Sequence, residues 1–290
     1  MKSLFTFLFA IVSITTFAQK EFQGKATYMS KTTMDMSRFS RNGQMSETRK
    51  KEISERMKSV LEKTFILSFD KTSSLYKEDE KLAAPTVGQG SRFMSMMGGS
   101  SIKYKNTTDL VALEAVEFFG KKFLVSDEME RPNWELGSET KKIGNYTCYK
   151  ATLLKDVDPG DWTNMRRRGG DNKKVEAKKD SIEVVKVSEE IEIPKQILIT
   201  AWYTPEVPIS NGPGEYWGLP GLILEINSGR TTILCTEIVM NPSEKEAIEA
   251  PEKGKKITRE EYNETVKIKM EEMRERFQGR GRNGGGSGRP

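Results

Sequence analysis

The residue types that most often do chemistry are scarce in this chain. It has 290 residues, with 47 Lys or Arg, 42 Asp or Glu, two cysteines and no histidine. A Ser-His-Asp or Cys-His triad, a zinc site with histidine ligands and a histidine-ligated haem are therefore excluded within the chain, and two cysteines cannot make a metal site of four cysteine ligands. Carboxylates, methionines and aromatic rings remain as candidate functional groups. We predict no cofactor and no metal site, and the composition argues against an enzyme without excluding one.

The most distinctive candidates are four aromatic rings within residues 201–226. Two turns with Pro at position i+1 and Gly at i+2, the composition of type II turns, are predicted at 212–215 and 219–222. Such turns should hold the four rings in a small volume. One interpretation is a packed corner, whose structural turn residues are Gly218, Pro220 and Gly221. The other is a platform for a sugar, a peptide or an amphiphile, whose members would be Trp202, Tyr203, Glu206, Tyr216 and Trp217.

Acids and thioethers provide two weaker signals. Paired carboxylates can hydrolyse glycosides without histidine, and Glu225 is the acid to inspect because its strand neighbours are apolar. The thioethers of Met34 and Met36, and those within residues 94–97, suit Cu(I) by ligand type, although the same residues could simply pack. Four Ser-x-x-Lys matches lack the Ser-Asp-Asn and Lys-Thr-Gly elements of penicilloyl-serine enzymes, so we interpret them as chance.

Residues 1–18 have the organisation of a secretory signal peptide. Lys2 precedes an apolar run over 4–14, and Thr16 and Ala18 lie at positions −3 and −1 of a cleavage site before Gln19. The run is too short to span a bilayer, and no other stretch is long and apolar enough. We expect an exported protein in the periplasm, at the outer membrane or outside the cell. Its partner would be an envelope protein or an amphiphilic or polysaccharide ligand, and not a nucleic acid.

Export also affects how the two cysteines are interpreted. Cys148 and Cys235 lie in strand-like segments, and outside a reducing cytosol such a pair favours a disulfide. The bridge would add roughly 4–5 kcal/mol to the free energy of unfolding in the chain-entropy model. The alternative is a pair of buried thiols.

The pattern of the remaining chain predicts a mainly β protein. Many short strand-like runs are separated by turn signals without regular β–α alternation, which indicates an antiparallel sheet, flat or curved. Apolar residues at helical spacing predict one helix within residues 44–62. A capping box at 258–261 begins a second helix, and both are expected to pack on the sheet, giving α+β by element count. The second helix has an apolar face of Tyr262, Val266, Met270, Met273 and Phe277.

These elements suggest one folded domain. We predict a signal peptide at 1–18, a single β-rich domain at 19–278 and a disordered Gly/Arg tail at 279–290. Polar insertions are predicted near 85–101 and 156–179, and a hairpin is predicted around Asp70-Lys71-Thr72.

One hexapeptide carries a family resemblance. Residues 218–223 read GLPGLI, the signature of the GLPGLI family of Bacteroidetes exported proteins, and Trp134, 142–152 and 201–204 also resemble that family. The similarity runs from about 130 to 240 and more loosely over the rest. It implies an exported protein of uncharacterised activity and assigns no catalytic residue. We expect a non-enzymatic envelope binding or accessory protein; the alternatives are a carboxylate-dependent hydrolase and a carrier of an apolar ligand.

Overall fold

The computed structural model describes residues 22–33, 46–79, 101–156 and 196–282. The predicted signal peptide, Met34, Met36, residues 94–97, nearly all of both polar insertions and residues 283–290 lie outside the described residues. In the described ranges neither helix is long and apolar enough to cross a membrane.

Twelve strands in the described ranges form one sheet, and two helices accompany it. The strands are β1 (Gly24–Thr32), β2 (Glu62–Phe69), β3 (Ser73–Glu78), β4 (Ser101–Asn106), β5 (Val111–Phe118), β6 (Lys121–Glu128), β7 (Glu135–Ile143), β8 (Tyr146–Asp156), β9 (Gln196–Thr204), β10 (Leu222–Ser228), β11 (Thr231–Met240) and β12 (Lys255–Ile257). The helices are α1 (Glu47–Leu61) and α2 (Arg259–Arg282). The mainly β fold predicted from sequence is confirmed.

The sheet consists of antiparallel meanders combined with two long-range pairings, β1 with β11 and β12 with β6. Its strand order is β12-β6-β5-β4-β3-β2-β1-β11-β10-β9-β8-β7. Neighbours are antiparallel except β12 and β6, which run parallel. The pairing of β1 with β11 joins the two halves of the sheet, and β7 forms one edge.

Short polar turns explain the local hairpins. The carboxylate of Asp70 accepts hydrogen bonds from the backbone N–H groups of Thr72 (2.7 Å) and Ser73 (2.6 Å), which closes the predicted hairpin between β2 and β3. Gly144 (φ 58°) begins the two-residue turn between β7 and β8, where a positive φ matches the twist of the paired strands.

The sheet curves around the loop that joins β9 to β10. Six strands separate β4 from β8, so a flat sheet would hold them about 33 Å apart at ~4.8 Å per strand. Yet Lys105 of β4 donates to the carbonyl of Tyr216 (3.0 Å), and Lys155 of β8 lies 2.5 Å from the carboxylate of Glu215. Because Glu215 and Tyr216 are neighbours in one loop, the two strands must bend towards each other.

Three apolar clusters form the core. The central cluster joins β1–β3, β8, β10, β11 and the β9–β10 loop; its largest members are Tyr28, Leu67, Phe69, Leu222 and Leu224. A second cluster joins β8–β10 to the same loop through Ala151, Ile199, Ala201, Tyr203, Leu219, Ile223 and Ile226. The third lies under the start of α2 and comprises Val116, Phe118, Phe123, Val125 and Ile257.

Both helices form where the apolar spacing predicted them. Ser46 caps α1 by accepting a hydrogen bond from the N–H of Arg49, and the helix contacts β1 and β2. In α2, Tyr262 and Val266 pack on the third cluster. The helix continues to Arg282, beyond the glycine at 279 where the sequence predicted its end and the start of a disordered tail.

Candidate functional site

The β9–β10 loop, residues 205–221, is part of the core. Val207, Ile209, Trp217 and Leu219 are buried, and the first two belong to the central cluster. The loop lies between the two bent halves of the sheet. These side chains of the loop therefore contribute to the packing of the core.

The turns of this loop differ from the predicted type II geometry. The N–H of Gly221 donates to the carbonyl of Leu219 (2.8 Å), which makes a three-residue turn around Pro220. A type II turn would direct the N–H of Leu222 to Leu219, but that N–H donates to Val207 across the loop (3.0 Å). The hydrogen bond from Leu222 to Val207 thus takes the place of the local bond to Leu219 that a type II turn would form.

The other predicted turn begins one residue later than expected. The N–H of Tyr216 donates to the carbonyl of Pro213 (3.1 Å), so the turn spans 213–216 instead of 212–215. Gly214, with φ 59°, then occupies position i+1 of the turn, and not the i+2 position assigned to it from sequence.

The four rings of the predicted platform are divided between clusters, because Tyr203 and Tyr216 belong to the second cluster while Trp202 packs against the central one. Tyr203 packs near Tyr149, with ring centroids 6.1 Å apart, and Tyr216 lies 6.5 Å from Trp134. The indole N–H of Trp134 donates to the carbonyl of Trp217 (2.7 Å). Trp202 lies on the other side of β9 from Tyr203, because successive side chains of a strand point to opposite faces. Trp202 is therefore separated from Tyr203, and we consider its surface on its own below.

The acids near the loop are engaged by neighbouring groups. Glu206 accepts a hydrogen bond from the N–H of Thr147 (2.8 Å), and Glu215 forms the ion pair with Lys155. Burial acts to raise the pKa of Glu215, but Lys155 and Lys103 outweigh it, so the pKa lies below its usual range. The neighbouring lysines thus favour the ionised form of Glu215.

A glycosidase needs the opposite, a carboxyl group whose pKa is raised so that it can act as the general acid. In the described part of the chain, every carboxyl group whose pKa departs from its usual range has a lowered pKa: Glu114, Glu215, Glu246, Glu260 and Glu272. The described residues also contain no grouping of three His, Cys, Asp or Glu side chains that could hold a metal ion.

Trp202 lies on a different surface, the outward side of β7–β11. The strand register places two rows of side chains directly opposite one another across this side. One row runs Lys150, Trp202, Glu225, Leu234 and Met29; the next runs Thr152, Thr200, Asn227, Thr232 and Lys31. We call this surface the open face and define it by Lys141, Lys150, Trp202, Glu225, Asn227 and Thr232.

A chain of hydrogen bonds crosses the open face beside Trp202. Lys141 donates to Glu225 (2.7 Å), Asn227 donates to the other oxygen of Glu225 (2.7 Å), and Thr232 donates to Asn227 (2.8 Å). The ammonium of Lys141 also lies 4.3 Å from the centroid of the Trp202 ring, a cation–π distance. The half-buried ring thus packs against the central cluster and is also bordered by polar groups whose positions are already set.

Sequence reasoning identified Trp202 and Glu225 but missed their companions. Lys141, Asn227 and Thr232 carry no motif. The available signal was the polar side chain at alternate positions of an otherwise apolar strand, since Glu225 and Asn227 are two residues apart in β10 and must share a face.

A second site that sequence reasoning missed lies beneath the loop. Lys105 is only 3% exposed, and its ammonium donates to the carbonyls of Gly212 (2.9 Å) and Tyr216 (3.0 Å). Burial first, and the positive charge of Lys103 second, lower the pKa of Lys105 to about 7. Lys105 therefore fastens the loop to β4 at the expense of desolvating a charge.

The predicted disulfide is not formed in this structure. Cys148 and Cys235 are buried free thiols, on β8 and β11, which are not neighbours in the sheet. The thiol of Cys148 is 3.9 Å from the carbonyl of Tyr146, and that of Cys235 is 3.4 Å from the carbonyl of Glu237. Burial raises the pKa of Cys148 to about 11 and that of Cys235 to about 12.

We expect both thiols to resist alkylation in the folded protein and to react after unfolding. Thiolate is the reactive form, and at pH 8 less than about 1% of either thiol is ionised at these pKa values. Mass spectrometry after iodoacetamide treatment without reductant should show no label on the native chain and two on the unfolded chain. Cys235→Ser should then take one label. An unfolded wild-type chain that takes none would restore the disulfide predicted from sequence.

No curated protein matches the chain. Two solved structures of PNGF-II, in the C2 and P21 space groups, are similar with TM-scores of 0.46 and 0.44 and 12% identity. They cover 84% of this chain, which spans about a third of theirs (32% and 33%). At these values the likeness says nothing about activity.

A family model matches the part of the chain that contains both the loop and most of the open face. The GLPGLI name stays a resemblance, because the matching model carries another description. Residues 134–225 match the family described as "Protein of unknown function (Porph_ging)", which is associated with Bacteroidetes.

Proposed function

We propose that the protein is an exported, non-enzymatic envelope protein that binds its partner through the open face. The observation that carries the proposal is the position of Trp202. Its ring is half-buried on an outward surface and is flanked by a continuous chain of hydrogen-bonded side chains, whereas Tyr203 and Trp217 are buried. Binding surfaces typically combine such an aromatic anchor with fixed polar groups.

The alternatives have less support in the described residues. A hydrolase lacks a carboxyl group with a raised pKa near the loop, as described above. An apolar carrier needs an open apolar interior, but the space between the sheet and the loop is occupied by Leu219, Ile223 and Ile226. A cavity of about 250 Å³ near the start of β1 is lined mainly by polar side chains, including Gln23, Lys25 and Glu246. Export is supported by the N-terminal sequence.

The proposal is tested by replacing one aromatic residue on each side of the same strands. Trp202→Leu keeps an apolar side chain against the central cluster but removes the ring. Tyr149→Leu is the matched control, because Tyr149 is exposed on the opposite side, beside Tyr203. In co-sedimentation with a washed envelope fraction, we expect Trp202→Leu to bind at least roughly tenfold more weakly, equivalent to about 1.4 kcal/mol, and Tyr149→Leu to bind like wild type.

Melting temperatures of both variants show whether the fold is retained. Equal binding by wild type and a folded Trp202→Leu variant would show that the open face is not the binding site. Cell fractionation that leaves the full chain in the cytoplasm would contradict the exported part of the proposal.

A further inference from the structure

We propose that the open face binds a neutral, hydroxyl-rich polysaccharide, with Trp202 as the ring on which one sugar stacks. This inference rests on the proposed function and names its ligand class. It comes from the juxtaposition of one aromatic ring, a balanced set of charges and a row of short hydroxyl and amide side chains on the same outward surface.

Each lysine of the open face is paired with an acidic side chain, which for Lys150 is Glu139 of the neighbouring strand β7. Lys141 contacts Glu225 at 2.7 Å, and Lys150 contacts Glu139 at 2.6 Å. Two positive and two negative groups therefore cancel locally. A surface for nucleic acid, acidic polysaccharide or anionic lipid would present an excess of Lys and Arg instead. The charge balance favours an uncharged ligand.

A row of hydroxyl and amide groups runs alongside Trp202. Thr152, Thr200, Asn227 and Thr232 face one another on four successive strands, β8 to β11. Neighbouring strands are about 4.8 Å apart, so the row offers donors and acceptors at a regular interval. A hydroxyl can both donate and accept, which matches the hydroxyls of a sugar chain laid across the strands.

The ring provides the anchor for such a chain. An aromatic face carries partial negative charge and attracts the weakly positive C–H groups of a sugar ring as well as cations. The ammonium of Lys141 lies over this face now, but the side chain is long and keeps Glu225 as its second partner. A sugar can therefore replace the ammonium over the ring without leaving Lys141 unpaired.

Exposed apolar side chains on this surface are too few to favour a membrane. Leu154 and Leu198 form one cross-strand pair beyond the threonine row, and Leu234 and Met29 form a second pair on the far side of Glu225. The polar row of Thr200, Asn227 and Thr232 separates the two pairs. A lipid-binding surface would need a contiguous apolar patch of several hundred Å².

The experiment uses insoluble neutral polymers as probes, namely cellulose, chitin and curdlan, with carboxymethyl-cellulose beads as the charged comparison. We expect the full chain to sediment with at least one neutral polymer and to stay bound in about 0.5 M NaCl, because neutral binding is not screened. Trp202→Leu should weaken this binding roughly tenfold, and the pair Asn227→Ala, Thr232→Val should weaken it several-fold. Tyr149→Leu, and Ser126→Ala on the distant strand β6, should not change it.

Other results would overturn the inference in distinguishable ways. Binding only to the charged beads, with loss in salt, would identify a polyanion ligand. Neutral binding that survives in the folded Trp202→Leu variant would place the sugar site elsewhere. If no neutral polymer binds while envelope binding still depends on Trp202, the ligand class is wrong and the proposed function stands.

Discussion

Replacing Gly221 by alanine is expected to lower the free energy of unfolding by about 3–5 kcal/mol, through backbone strain and steric overlap together. Gly221 has φ 154°, which side chains rarely allow. A Cβ there would overlap the carbonyl group of Thr204 and lie 2.8 Å from the nitrogen of Pro205. These are backbone atoms of the strand end that pairs with Leu222, so they cannot rotate away as a side chain would.

Chemical denaturation measures this loss, and two other variants serve as controls. Gly144→Ala introduces a side chain at φ 58° with no atom within 4 Å of its Cβ, so it should cost only about 1 kcal/mol. Pro220→Ala, at an exposed turn position, should cost less than about 1 kcal/mol, mainly through the unfolded chain. If Gly221→Ala is no more destabilising than Gly144→Ala, the loop does not approach Thr204 this closely.

The hexapeptide at 218–223 therefore has a packing explanation that needs no ligand. Leu219, Leu222 and Ile223 are fully buried. Gly218 adopts φ 93° and lies against Pro132, and Gly221 makes the close approach to Thr204. A segment with these requirements tolerates few residue types whatever the rest of the surface binds.

The local elements of the fold could be predicted because their signals are local. The i, i+4 spacing predicted α1, the capping box predicted α2, and Asp70 with the residues after it predicted the β2–β3 hairpin. The strand order could not be predicted. Tyr28 pairs with Cys235, a partner about two hundred residues later, and no pattern near either residue specifies the other.

For the candidate site too, some features could be predicted from local sequence and others could not. Trp202 and Tyr203 are neighbours on one strand, so their opposite directions follow from the strand assignment alone. The burial of Lys105 was different. Lys103 and Lys105 share one face of β4, yet only Lys105 is covered, because a loop more than a hundred residues later in the chain lies over it. The alternation of side chains along a strand shows which residues share a face, but it does not show which distant segment packs over that face.

The free energy of unfolding should rise by about 2 kcal/mol between pH 7 and pH 9 because of Lys105. Its pKa is about 7 in the folded protein, against an ordinary value of 10.5. Over this interval the folded state has released the proton while the unfolded state still binds it, so raising the pH favours the folded state. Below pH 7 both states bind the proton, and the folded state bears the full cost of a buried ammonium.

The other groups with shifted pKa values change the free energy of unfolding little over most of the range from pH 7 to pH 9. Glu114, Glu215 and Glu246 have lowered pKa values, so their contribution is complete well below pH 7 and is lost only in acid. Cys148 and Cys235 have raised pKa values, so their contribution begins to fall only as the pH nears their ordinary value of 9. Urea unfolding of wild type and Lys105→Met at pH 7, 8 and 9 isolates the contribution of Lys105, because both chains share the other groups.

Lys105→Met should remove this rise, and Lys103→Met, two residues along the same strand, should retain most of it. A wild-type stability that is flat or falls from pH 7 to 8 would mean that the ammonium is hydrated and the loop does not cover it.

The rise of the free energy of unfolding with pH also shows how Gly221→Ala acts. If alanine at 221 displaces the loop from β4, water reaches Lys105, its pKa returns towards 10.5, and the rise with pH is lost in that variant as well. If Gly221→Ala instead strains only the end of β9, stability falls equally at every pH and the slope remains.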